Sequence, residues 1–165
     1  TSFFDTKEAA LAYLKDQISG KKVAIGGSVT AQEMGLYEAL SEKNEVIWHW
    51  KKAGRETLME ARSAEVYITS ANGVSKTGEL VNIDGTGNRV SQTLFGPEKV
   101  YFVIGNNKVC PDLTSAKERS PSAGPDPVCE NGRLRRLQQP GTDLPFDRDP
   151  GASEQWDGSG GCVCG

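Results

Sequence analysis

The segment KVAIGGSVTAQEMGLYEAL, residues 22–40, carries the pattern that indicates an α/β protein. Its apolar run 23–25 enters the glycine pair Gly26–Gly27, and a polar turn follows. The later apolar residues recur at helical spacing: Met34, Leu36, Tyr37 and Leu40. A strand, a glycine turn and a helix are therefore predicted here.

The flanking sequence continues this alternation. An amphipathic helix is predicted over residues 6–18, with Thr6 as its cap. Further strands are predicted at 45–50, 66–69, 79–83 and 100–104, and further helices at 57–64 and 88–94. Short apolar strands between helices predict an α/β fold, a mainly parallel sheet with helices on both faces.

Composition narrows the functional classes. The 165 residues are 36% hydrophobic and 25% charged, which is typical of one globular domain, and the net charge of −3 argues against nucleic acid as a partner. No apolar run approaches the roughly 20 residues that span a bilayer. A cytoplasmic protein without a membrane span is expected.

The four cysteines predict neither a disulfide framework nor a metal site. They stand at Cys110, Cys129, Cys162 and Cys164, without Cys-x-x-Cys spacing, and the only histidine is His49. No metal is predicted. His49 and Cys110 are interpreted as partly buried structural residues.

The first candidate ligand loop comprises Gly26, Gly27, Ser28 and Thr30. Glycines allow close approach of backbone to a ligand, and N–H groups at a helix start favour an anion. Glycines after strands are equally common as tight turns. Glu33, in the helix that follows, is a candidate general base.

The second candidate loop contains Ser70 and Asn72, just beyond the strand predicted at 66–69. Hydroxyl and amide side chains suit hydrogen bonding to a polar ligand, but they also suit ordinary turns. By itself this loop is interpreted as structural. Asn106, Asn107 and Lys108, at the end of the last predicted strand, are a possible extension of the site, and a surface turn explains them equally well.

The third candidate loop is the richest in functional groups: Asp84, Gly85, Thr86, Gly87, Asn88 and Arg89. Arg89 is predicted to hold a carboxylate or phosphate, and Asp84 is a second candidate base. A solvated turn would also be polar. The variety of groups favours a ligand role.

Four ordered motifs resemble one known family. They are GGSVTxxExG at 26–35, TSAN at 69–72, GELVNIDGTGNRV at 78–90 and FGPxKV at 95–100. Together they are similar to the LUD family of lactate-utilization proteins over about residues 5–117. The resemblance implies a fold like that of ribose-phosphate and glucosamine-phosphate isomerases and coenzyme A transferases.

The resemblance also implies a function. The expected role is a component of a bacterial L-lactate oxidation system, with partner subunits that include an iron–sulfur protein and a reductase. No cofactor is visible in this chain, and an iron–sulfur cluster is implied only in a partner. The alternative is a stand-alone isomerase or acyl/CoA-transfer enzyme of the same fold.

Both ends of the chain depart from the family pattern. The chain starts in the first helix, as in an N-terminally truncated member, and residues 118–165 are predicted to be a disordered, non-native-looking tail after a domain at 1–117. A one-nucleotide shift of frame over 127–149 permits a cysteine-rich string similar to the C-terminal segment of the family. A frameshifted tail is the hypothesis, and a natural disordered tail is the alternative.

Overall fold

The computed structural model describes residues 1–122. These residues form six α-helices and seven strands: α1 Lys7–Gln17, β1 Lys22–Ile25, α2 Val29–Glu33, α3 Leu36–Ser41, β2 Glu45–Trp48, α4 Arg55–Glu60, β3 Val66–Thr69, β4 Gly73–Ser75, β5 Leu80–Val81, α5 Asn88–Leu94, β6 Lys99–Phe102, β7 Val109–Cys110 and α6 Leu113–Ser122. Short 3-10 turns lie at Ala61–Ser63 and Asn106–Lys108. The hypothesis of a frameshifted tail concerns a segment that lies almost wholly outside the described residues.

The main sheet confirms the predicted α/β class. Its four strands run in the order β2-β1-β3-β6, and all three pairings are parallel. In the register, Ile25 lies opposite Trp48 on one side and opposite Ile68 on the other. The carboxyl ends of β1, β2 and β3 therefore meet at one edge of the sheet.

Helices cover both faces of this sheet. Alternate strand residues Val23, Ile25, Val66 and Ile68 pack with α1, α2 and α3 in the larger core cluster. The intervening residues Ala24, Ile47 and Tyr67 pack with Ala61 and Ala64 on the face that α4 and α5 cover. Side chains point alternately to the two faces because the side-chain period of a strand is two.

A second, three-stranded sheet was not predicted from the sequence. It has the order β5-β4-β7, with β4 antiparallel to β5 and parallel to β7. Helix α6 packs on β4 at Gly73, where an added Cβ would lie 2.8 Å from the carbonyl oxygen of Ala116. Strands of two or three residues are too short for periodicity to reveal them.

Two predicted elements differ in the structure. The single helix expected after the glycine pair is two short helices, because Gly35 adopts a left-handed conformation at φ 65° and separates α2 from α3. The strand expected at 79–83 forms ladder pairs only at Leu80–Val81. By contrast, α5 occupies the predicted range, and Thr6 caps α1 by accepting from Ala9 N at 3.2 Å.

Burial agrees with the interpretation of the two reactive side chains. His49 is half-buried, and Cys110 is a buried free thiol. Helix α6 extends to Ser122, past the boundary expected at residue 117. None of the helices within residues 1–122 is long and apolar enough to cross a membrane.

Candidate functional site

The loops that follow β1 and β3 lie side by side at the carboxyl edge of the main sheet. The backbone N–H of Gly26 donates to the carbonyl of Ile68 at 2.8 Å, which continues the ladder one residue beyond β1. The indole N–H of Trp48 donates to the carbonyl of Gly26 at 3.1 Å. Open α/β sheets bind ligands at this edge, and two of the three predicted loops meet there.

The glycine pair is packed on both sides by neighbouring side chains. A Cβ on Gly26 would overlap the Tyr67 hydroxyl and would lie 2.8 Å from Oγ1 of Thr69. A Cβ on Gly27 would point to the other face and lie 3.3 Å from the ring of Trp50. Close packing against rigid rings therefore explains why glycine stands at both positions.

The rest of the first loop starts α2. Ser28 is buried, and its Oγ accepts from the backbone N–H of Ala31 at 3.1 Å. Thr30 is half-buried in the first turn, whereas Glu33 is exposed at the last residue of the helix. Ser28 thus acts as a helix cap, and the Glu33 side chain faces away from the core.

The second loop, residues 70–72, is contacted by three cationic side chains. Lys108 Nζ donates to Ser70 Oγ at 2.9 Å. Arg119 Nη1 donates to the carbonyl of Asn72 at 2.6 Å, and Arg89 Nη2 donates to Asn72 Oδ1 at 3.2 Å. We call Lys108, Arg89 and Arg119 the cation group. Its members come from a 3-10 turn, α5 and α6, so the tertiary fold is what assembles it.

The third loop is organised around one carboxylate. Asp84 Oδ2 accepts from the backbone N–H groups of Arg89 and Val90 at 2.7 and 3.0 Å, and its Oδ1 accepts from Thr86 at 3.2 Å. Asp84 therefore caps α5 and satisfies N–H groups that the first turn leaves open. Gly85, Thr86 and Gly87 are exposed, and Gly87 has φ 78°.

Arg89 joins the second and third loops. Its side chain is 6% exposed and also donates from Nη2 to the carbonyl of Ile83 at 2.5 Å. Asn72 Oδ1 in turn accepts from the backbone N–H of Ile83 at 3.0 Å. All three predicted loops are thus brought to one region, and Arg89 and Asn72 make the connection.

A cleft opens beside this region, on the face that α4 and α5 cover. We call it the α4–α5 cleft. The residues that line it are apolar and polar: Ile25, His49, Leu58, Ala61, Tyr67, Asn88 and Gln92. Among them only Asn88 belongs to the residues that the sequence predicted to bind a ligand.

Tyr67 is the most deeply buried polar group of the cleft. Its side chain is 1% exposed, and its hydroxyl lies beside Oγ1 of Thr69 without a well-formed hydrogen bond to any described residue. Burial raises the pKa of Tyr67 well above its usual value, and the positive charge of nearby Arg89 lowers that pKa only in part. Tyr67 is therefore a neutral hydroxyl at physiological pH and can donate a hydrogen bond.

Sequence reasoning missed Tyr67, Gln92 and Arg119. Tyr67 stands in an apolar strand and Gln92 in the middle of a helix, where neither position signals a ligand. One signal was present in the sequence: Tyr67 and Thr69 share the side-chain direction of a strand that ends at the second loop. That pattern is common in ordinary sheets, so it could not single out the cleft.

A comparison with protein families now identifies the chain. The model of the LUD domain matches residues 1–132. The chain belongs to the LUD domain family. This family is associated with lactate utilization. The match agrees with the resemblance that the four motifs indicated.

A curated relative of this LUD domain is similar but distant. It is the "Uncharacterized protein YkgG" of Escherichia coli (strain K12), 27% identical over 121 residues, which cover 72% of this chain and 51% of the relative. The chain thus spans about half the length of the curated relative it matches. No solved structure matches.

Metal ligands do not cluster in the described part of this LUD domain. Within residues 1–122, no group of three or more His, Cys, Asp or Glu side chains is placed to hold a metal ion. The polar chemistry of the region consists of the cation group, the Asp84 carboxylate, and the hydroxyl and amide groups of the loops and cleft.

Proposed function

We propose that this LUD domain is a component of an L-lactate utilization system and binds a small anionic metabolite at the carboxyl edge of its parallel sheet. Family membership supports the association with lactate utilization. The edge supports the ligand role, because the loops after β1 and β3 meet there and ligands of open α/β sheets bind at such edges.

The cation group is the observation that carries the anionic nature of the ligand. Three positive side chains approach the segment 70–72, where they donate to hydroxyl, amide and carbonyl oxygens. Asp84 lies near and offsets part of this charge, but its oxygens are engaged by backbone N–H groups. A cluster of cationic side chains of this kind favours a carboxylate or a phosphate.

The test is a thermal-shift screen with L-lactate, pyruvate, sugar phosphates, nucleotides and coenzyme A. A ligand that binds only the folded state raises the melting temperature. Lys108→Met should abolish the shift, because it removes a charge and keeps most of the volume. Lys76→Met is the matched control, since Lys76 is exposed at the end of the neighbouring strand β4.

Two results would contradict the anion site. One is the absence of a shift with every compound, and the other is a shift that Lys108→Met and Lys76→Met leave equally intact. Turnover of a sugar phosphate or an acyl-coenzyme A by the isolated protein would instead support the stand-alone isomerase or acyl-transfer alternative.

Partnership with an iron–sulfur subunit and a reductase subunit is part of the same proposal. It is supported by the family association alone. Co-purification of the tagged chain with both subunits, expressed together from the source genes, would support it. Lactate oxidation by the two subunits at an unchanged rate without this chain would count against it.

A further inference from the structure

Arg119 joins two segments of the candidate site that are far apart in the sequence. Its Nη1 donates to the carbonyl of Asn72 at 2.6 Å, and its Nε donates to the carbonyl of Asn107 at 2.9 Å. Asn72 ends the second loop, and Asn107 stands in the 3-10 turn that also contains Lys108. One guanidinium therefore bridges the segments 70–72 and 106–108.

This bridge lies beside the contact that brings a cation to the second loop. Lys108 directly follows Asn107, and its Nζ donates to Ser70 Oγ at 2.9 Å. The position of Lys108 relative to Ser70 depends on how the two bridged segments are placed. A planar guanidinium donates in fixed directions, so it holds two carbonyls at a defined separation, which a flexible ammonium group does not.

Helix α6 holds Arg119 at this position. Its backbone approaches β4 so closely that a Cβ on Gly73 would lie 2.8 Å from the carbonyl oxygen of Ala116. Asp112 caps the helix by accepting from the backbone N–H of Ser115 at 2.8 Å. Residues three apart lie on the same face of a helix, so Arg119 follows Ala116 on the face that meets the end of the second loop.

The bridge is a local contact and not a support of the second sheet. Strands β4 and β7 also join the two segments, through a parallel ladder in which Val74 lies opposite Val109. Arg119 takes no part in that ladder. Loss of the bridge should therefore loosen the segments 70–72 and 106–108 and leave the sheet intact.

We propose that Arg119 is a positioning residue of the anion site, which acts on the ligand through Lys108. This inference rests on the proposed function, because it divides the labour within the cation group. Two nitrogens of Arg119 already donate to carbonyl oxygens. Lys108 is half-buried and donates to a hydroxyl, and a carboxylate or phosphate oxygen is a stronger acceptor for its ammonium group.

The first measurement is the affinity of the full chain for L-lactate and for inorganic phosphate, by calorimetry. These probes represent the two anion classes that the proposed function allows. Arg119→Lys keeps the positive charge but offers one nitrogen where the bridge needs two. It should weaken the binding of the accepted probe about tenfold, as expected when one charge-assisted hydrogen bond is lost. An unchanged affinity would show that Arg119 contributes only its charge, and the positioning role would be overturned.

The second measurement follows Lys108 itself in the absence of any ligand. Lysine amines are labelled with a trace of acetic anhydride, and the labelled peptides are quantified by mass spectrometry. Lys108 should react several times faster in Arg119→Lys than in the unmodified protein, because its amine is no longer held at Ser70. Exposed Lys76 is the internal reference and should react equally in both proteins. Equal labelling of Lys108 in both proteins would overturn the inference.

Ser120→Ala separates positioning from a general support of α6. It removes the hydrogen bond of a buried hydroxyl to the carbonyl of Ala116 at 2.8 Å and leaves the bridge in place. The affinity and the labelling of Lys108 should stay unchanged well below its melting temperature. If Ser120→Ala reproduced the effects of Arg119→Lys, the stability of α6 alone would explain them, and the positioning role would be wrong.

The outcomes distinguish this inference from the proposed function. If a probe binds the unmodified protein and Arg119→Lys equally, the positioning role is overturned while the anion site stands. If neither probe binds the unmodified protein, the anion site and the positioning role are overturned together.

Discussion

The amino and carboxyl edges of the main sheet differ in how completely their polar groups are paired. At the amino edge, the Asn44 side chain accepts from the backbone N–H of Lys21 at 3.0 Å. It donates to the carbonyls of Ile18 and Leu40 at 3.2 and 2.9 Å. Glu65 likewise accepts from the N–H of Lys22 at 3.2 Å and from Lys21 Nζ at 2.5 Å.

At the carboxyl edge, some buried groups remain open. The hydroxyl of Tyr67 and Nε1 of Trp50 have no well-formed hydrogen bond to any described residue. Such groups reduce the stability of a fold unless something binds to them. The amino edge thus closes on its own polar groups, whereas the open groups of the carboxyl edge agree with the ligand role proposed for it.

Arg89→Met should have the largest effect on this comparison. The variant removes the hydrogen bonds of a buried guanidinium to Asn72 and Ile83, so the free energy of unfolding should fall by roughly 3 kcal/mol. Denaturant titration measures it. The control is Arg62→Met, because the Arg62 side chain is exposed. Equal effects of the two variants would show that Arg89 does not hold the loops together.

Gly26→Ala should have the next largest effect. The new methyl group would overlap the Tyr67 hydroxyl and approach Thr69 Oγ1, and overpacking of this kind costs about 1–3 kcal/mol. Thermal unfolding measures it, and adding Tyr67→Phe should recover part of the loss. Gly105→Ala is the control, because the atom it would meet belongs to exposed Asn107, which can move away.

Asn44→Ala tests the amino edge of the main sheet, where the polar groups are paired. It removes three hydrogen bonds of a half-buried amide and should lower the free energy of unfolding by about 2 kcal/mol. Tyr67→Phe, by contrast, should leave the free energy of unfolding unchanged. The comparison between the edges would be wrong if denaturant titration gave the two variants similar losses.

The smallest effect concerns pH at the amino edge. Lys21 and the N–H of Lys22 hold the pKa of Glu65 below its usual value of 4.5. A lowered folded-state pKa contributes stability that is present above that usual value and is lost as pH falls through the folded-state pKa. The difference in melting temperature between the unmodified protein and Glu65→Gln should therefore shrink as the solution is acidified.

The control for the pH experiment is Glu60→Gln, at an exposed glutamate of α4. Its melting-temperature difference is the baseline with which that of Glu65→Gln is compared at each pH. A difference for Glu65→Gln that stays constant with pH would show that the hydrogen bonds of Glu65 do not stabilise the amino edge.

Local pattern was enough to predict much of this domain. Apolar runs and helical spacing revealed the strands β1, β2, β3 and β6, the helix α5 and the parallel sheet, because each signal lies within a few consecutive residues. The motifs that surround Gly26, Asn72 and Arg89 were sufficient to indicate the LUD family. Local pattern also placed the first two loops after strands that end at the same edge.

The cation group and the α4–α5 cleft depended on the tertiary structure. Lys108 meets Ser70 from 38 positions away, and Arg119 meets Asn72 from 47 positions away. No rule of sequence spacing predicts either contact, because α6 and the small second sheet bring these residues together by packing. Whether a buried hydroxyl such as that of Tyr67 finds a partner likewise depends on every residue around it, and only the folded chain fixes that.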